Sequence, residues 1–156
     1  MQQLVEDTTP AALDPESVER LRAAVGRLSR RLRDVPSGAS LTPSQLSVLF
    51  TVARRGPLGI SELAELEAIN PTMLSRIVAQ LCHDGLLVRE ARDDDRRAAT
   101  VSATARGRRL RERVHRERAR ALGELIATLD GEQRAALEAA LPALEELAAR
   151  VGDGRR

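Results

Sequence analysis

Residues 85–107 read Gly-Leu-Leu-Val-Arg-Glu-Ala-Arg-Asp-Asp-Asp-Arg-Arg-Ala-Ala-Thr-Val-Ser-Ala-Thr-Ala-Arg-Gly. An apolar run, Leu86-Leu87-Val88, leads into a charge-dense tip, and a β-compatible segment, Ala99-Thr100-Val101-Ser102, leads out. The pattern predicts a β-hairpin whose tip ends in Asp95-Arg96-Arg97. A pure phosphate clamp would avoid three carboxylates. Asp93-Asp94-Asp95 therefore predicts a shaped tip in which one acid, Asp95, holds an arginine in place. Arg96 or Arg97 could then enter a minor groove or clamp a phosphate. The plain alternative is a solvated turn with internal ion pairs, worth little energy.

Two short helices precede the hairpin. The first begins near 59–61 and runs to about Glu67, with Leu63, Ala64 and Leu66 inward. Asn70 then Pro71 cap the second, which runs to about His83 with Leu74, Ile77, Val78 and Leu81 toward the core. Ala64 is small where the two helices must approach closely. Pro71, Thr72, Met73, Ser75, Arg76 and Ala79 then point outward near the start of the second helix, where a recognition helix touches base edges. Thr72 and Ser75 can hydrogen-bond bases or phosphates, and Met73 can contact a thymine methyl. Arg76 suits guanine O6 and N7, or a phosphate. The Asn70 cap and the first-turn amides offer a further phosphate contact. Two short helices occur in many α proteins; the hairpin behind them makes the set a winged helix–turn–helix.

Longer helices flank this unit. Asp14-Pro15 starts one over roughly 15–33, striped by Val18, Leu21, Val25, Leu28 and Leu32 and ended by Pro36-Ser37-Gly38. Thr42-Pro43-Ser44-Gln45 starts another as a capping box, and Gly56-Pro57 stops it. Thr104 opens an arginine-rich helix reaching about Leu129, and Asp130-Gly131 breaks the chain. A last helix carries Leu137, Leu141, Leu144, Ala148 and Val151, with Pro142 inside it as a cost or a kink. The two outer stripes exceed what one copy of residues 42–102 can cover. A helical homodimer sharing them is the economical solution, and an intrachain bundle is the alternative. The expected organisation is thus a flexible arm at 1–13, a dimerisation helix and loop at 15–41, a DNA-binding domain at 42–103 and dimerisation helices at 104–156. The fold class is mainly α with a small β-hairpin wing.

Composition agrees with a folded chain of 156 residues, 42% hydrophobic and 31% charged. All 25 basic side chains are Arg, and the net charge of +2 hides a basic segment at 89–120 beside an acidic one at 124–146. The lone Cys82 excludes an internal disulfide and fits a reducing cytosol. No export signal or membrane-length apolar run is visible, so a cytoplasmic, nucleoid-associated location is expected. Cys82 is read as a buried structural thiol rather than an oxidant sensor, because a helix C-terminus disfavours thiolate. With His83 and His115 it forms no zinc pattern, and no catalytic motif stands out. No metal, cofactor or enzymatic activity is expected. The rival to DNA binding is a winged-helix adaptor that docks proteins. With Phe50 the single aromatic residue, an effector pocket would be lined by aliphatic side chains and fit a lipophilic ligand, if one exists.

Leu74-x-Arg76, Leu81, Gly85-Leu86-Leu87, Asp95-Arg96-Arg97 and Thr104-x-x-Gly107 follow one another at the spacing of the MarR family of bacterial regulators, which the chain resembles. The helix order over 15–151 is similar to that family as well. Met73 departs from the small residue usual at its position, and Cys82 from Glu, Ile or Val. The resemblance implies a homodimeric repressor whose terminal helices make the dimer and whose two recognition helices enter successive major grooves of an inverted-repeat operator. It also implies release from DNA by a small phenolic or lipophilic ligand or an oxidant acting between domains. Peroxide-sensing members usually place their cysteine in the first helix, where this chain has none.

Overall fold

The computed structural model describes residues 13–35, 40–92 and 95–153, the side chains of 91–99 and 151–153 excepted. Nearly all of the expected arm, the Pro36-Ser37-Gly38 stop, Asp93 and Asp94 lie outside the described residues. So do the side chains of Asp95, Arg96, Arg97 and Val151. In chain order the elements are α1 (Pro15–Arg33), α2 (Pro43–Arg55), β1 (Leu58–Gly59), α3 (Ile60–Glu67), α4 (Pro71–His83), β2 (Leu87–Arg92), β3 (Asp95–Ala103), α5 (Ala105–Ala127) and α6 (Gly131–Asp153). The fold is mainly α with one small antiparallel sheet, ordered β1-β3-β2.

Local hydrogen bonding sets most helix starts. Thr42 and Gln45 form the expected reciprocal box, Thr42 Oγ1 accepting from Gln45 N at 3.3 Å and Gln45 Oε1 from Thr42 N at 2.7 Å. Asp14 caps α1 by accepting from Ser17 N at 2.9 Å. Asp130 does more than break the chain. Its Oδ1 accepts from Gln133 N at 2.8 Å, and its own N–H donates to Gln133 Oε1 at 3.2 Å. That is a second reciprocal cap. The last helix continues past Pro142, which removes one donor from its ladder.

The core gathers Val48, Leu49 and Val52 of α2, Leu63 of α3, Leu74, Val78 and Leu81 of α4, Val101 of β3 and Val114 of α5, all essentially inaccessible to water. Each such side chain contributes about 1.5–3 kcal/mol by leaving water. Two features differ from the sequence reading. First, β1 adds a short third strand, pairing Leu58 with Val101 and Gly59 with Thr100. Second, the hairpin strands are longer than expected. The second strand begins at Asp95, which pairs with Arg92 across a register shift, so Asp95-Arg96-Arg97 lies in β3 rather than on the turn.

The chain divides into two compact units, 1–34 and 35–156. The first contributes α1, none of whose residues is buried. Its stripe of Val18, Leu21, Val25 and Leu28 is exposed. In the second unit, the N-terminal half of α5 belongs to the winged core through Gly107, Leu110 and Val114. By contrast, no residue of 131–150 is buried. Leu137 and Leu144 are half-covered, and Leu141 and Leu147 are exposed. No helix among the described residues is long and apolar enough to cross a membrane.

Candidate nucleic-acid interface

The turn between α3 and α4 is built at Ala68, which takes left-handed dihedrals, φ 52° and ψ 40°. There Ala68 N donates to Glu65 O at 3.2 Å and Ile69 N to Ala64 O at 3.1 Å. This is the paired bonding of a helix stop that usually uses glycine. Asn70 follows as a cap, its Oδ1 accepting from Thr72 N at 2.8 Å. Buried Leu63 and Ala64 on one helix and Leu74, Ile77 and Val78 on the other hold the pair together.

With Leu74, Ile77, Val78 and Leu81 committed to the core, the opposite face of α4 is left to solvent. Asn70, Pro71, Thr72, Met73, Arg76 and Ala79 are exposed and Ser75 is half-covered. Met73 is 55% accessible, a large apolar side chain with no core duty. Arg76 makes no ion pair among the described residues. The face therefore presents two hydroxyls, one guanidinium and one thioether within two turns, a set able to donate to and accept from base edges.

The far end of α4 fixes the hairpin. Gly85 sits at φ +68°, Gly85 N donates to Cys82 O at 3.0 Å, and Leu86 N donates to Leu81 O at 2.9 Å. Leu86 and Leu81 are both buried, which completes a Schellman stop with its apolar contact. Thr104 then ties the return strand to this turn. Its N–H donates to Leu86 O at 3.1 Å, its hydroxyl to Gly85 O at 2.8 Å, and its Oγ1 accepts from Gly107 N at 3.0 Å. An ideal Cβ on Gly107 would lie 2.2 Å from Leu86 O, so only glycine allows this approach. The Thr104-x-x-Gly107 spacing is thereby the clasp that orients the hairpin against α4. Arg108 adds a bond that sequence reasoning missed, its Nη1 donating to Ala103 O.

Burial pushes the Cys82 thiol up, with Arg89 acting weakly in the other direction. Cys82 is only half-covered, less buried than its sequence reading implied. His115 stacks on Phe50 at 5.2 Å between ring centroids. Its pKa is held down by desolvation, then by Arg111 and Arg118.

A helix pair joined by a three-residue turn, an exposed start on its second helix and an adjoining hairpin define a winged helix–turn–helix, the architecture of DNA-binding transcriptional regulators. The MarR family profile matches residues 41–99. An HTH-type transcriptional regulator of Mycobacterium bovis is 34% identical over 127 residues, 81% of this chain and 89% of that one. The chain belongs to the MarR family. The transcriptional repressor MdtR of Bacillus subtilis is 28% identical over 87 residues, 56% of each chain. The crystal structure of the transcriptional regulator Tm0710 from Thermotoga maritima superposes with a TM-score of 0.74 at 25% identity, covering 88% of this chain and 98% of that one.

Proposed function

We propose that this DNA-binding regulator acts as a homodimeric repressor on an inverted-repeat operator. The observation that carries the reading is the outward face of α4, Thr72, Met73, Ser75 and Arg76 on a helix whose other side is locked in the core. Asn70 and Pro71 lie at its leading end, positioned for a backbone phosphate. The wing, with Asp95, Arg96 and Arg97 on β3, would contact the flanking minor groove or backbone. Two stripes support dimerisation: exposed Val18, Leu21, Val25 and Leu28 on α1, and half-covered Leu137 and Leu144 with exposed Leu141 on α6, a stripe that the sequence continues to Val151. Covering them by a second copy removes from water apolar surface that the winged core leaves open. Repression is the reading suggested by the likeness to MdtR. Release by a small lipophilic ligand follows from the family resemblance, and the site of action is the cytoplasmic nucleoid.

The experiment is selection of genomic fragments by the purified full-length protein, with the mass of the free protein measured by sedimentation. The expected result is a dimer and a short inverted repeat whose half-sites are about one helical turn apart. A monomer that enriches no common sequence would refute the reading.

A further inference from the structure

One strongly charged surface is not absorbed by DNA reading. Arg106, Arg109, Arg113 and Arg116 recur at spacings of three and four on α5 and line one groove of about 1080 Å³. Its floor is apolar, formed by buried Leu86 and Leu110. Ten residues of helix extend the stripe over about 15 Å, with neighbouring side chains about 5–6 Å apart.

Three surface arginines are paired with acids on their own helices, Arg22 with Glu19, Arg120 with Glu124 and Arg150 with Glu146, whereas others such as Arg76 make no ion pair among the described residues. In the groove, Arg106, Arg109 and Arg116 make no ion pair among the described residues. The nearby acid Asp84 is engaged with its own helix, accepting from Gln80 Nε2 at 3.0 Å and facing His83 Nδ1 at 3.3 Å. Glu112 is the other carboxylate of the lining, so arginine outnumbers acid by four to two. The groove also borders Gln80, His83 and Asp84 at the C-terminal end of α4. Along the helix axis these residues lie about 6–12 Å beyond Arg76 and about 12–18 Å beyond Thr72.

We infer that this groove binds a small polyanion carrying two or more phosphate groups. Guanidinium forks pair phosphate oxygens bidentately, and their spacing along α5 suits linked phosphoryl groups better than a single carboxylate. The leucine floor accommodates an apolar body attached to them.

The test titrates the full-length protein with sodium tripolyphosphate by calorimetry at about 0.15 M salt, where surface charges are screened beyond roughly 8 Å. Saturable binding of one tripolyphosphate per chain is expected. Arg109→Ala combined with Arg116→Ala should weaken it by about tenfold per arginine, the loss of one charge-assisted contact each. Arg106→Ala should weaken it in the same sense, and Arg76→Ala should leave it unchanged. Circular dichroism melts check that the variants remain folded. Absence of saturable binding, wild-type affinity in both groove variants, or loss with Arg76→Ala instead would overturn the proposal. So would preference for an acidic peptide over tripolyphosphate. Because the titration contains no DNA, its failure is separable from failure of operator binding.

Discussion

Replacing Gly107 by alanine should damage the clasp between the hairpin and α5. The new Cβ would lie 2.2 Å from Leu86 O and 3.1 Å from both Leu86 C and Leu49 Cδ1. An ordinary carbon–oxygen contact is about 3.3 Å, so the backbone must open by roughly 1 Å. Leu49 is fully buried and Leu86 nearly so, which leaves no flexible side chain to give way. Opening breaks the bond from Thr104 N to Leu86 O and strains the cap on Gly107 N. A buried bond lost costs about 1–3 kcal/mol and overpacking about 1–3 kcal/mol. Better helix propensity returns about 1 kcal/mol. The net expectation is a loss of about 3 kcal/mol, or roughly 10 °C in Tm for a chain of this size. Gly123 provides the control on the same helix, since a Cβ added there would meet nothing within 4 Å. Gly123→Ala should stabilise by about 0.5–1 kcal/mol. Urea and thermal unfolding of both variants read the difference. A Gly107→Ala protein as stable as wild type would refute the close-approach argument.

Three further outcomes follow from the same geometry. His115 has a depressed pKa in the folded state, so its contribution to stability is fully present above about 6.5 and is lost as pH falls toward the lower folded value. The dependence of Tm on pH over that window should flatten in His115→Gln; an unchanged profile would count against burial of this ring as its cause. Ala68 bears left-handed strain of about 1–2 kcal/mol, partly offset in Ala68→Gly by the freer unfolded chain, so that variant should be more stable by about 0.5–1 kcal/mol in urea. A destabilised Ala68→Gly would contradict the turn geometry. Because burial favours the protonated Cys82 thiol, peroxide should leave DNA affinity unchanged. Oxidative loss of binding that Cys82→Ser prevents would show a redox role.

The helix framework was legible because its starts are local. Asp14, Thr42, Asn70 and Thr104 each cap the helix that follows with their own side chains. The core faces of α2 and α4 follow from apolar spacing alone. What escaped was decided by distant partners. A two-residue strand at Leu58 carries no periodicity, and it exists because Val101 and Thr100 offer it a ladder. The hairpin tip was misplaced because charge suggested a turn at Asp95-Arg96-Arg97, whereas β2 extends far enough to pair Arg92 with Asp95. On α5 the density of arginine hid two facts. Gly107, Leu110 and Val114 belong to the winged core, and four arginines align on one flank. The outward residues of α4 were readable because the inward ones were.

Whether the start of α4 reads sequence is decided by Arg76→Ala, titrated on a panel of single-base variants of the selected operator. If Arg76 contacts a base, affinity for the parent site falls by roughly 1–3 kcal/mol and discrimination relaxes at one position in each half-site. Unchanged affinity together with unchanged discrimination would contradict base reading by this helix.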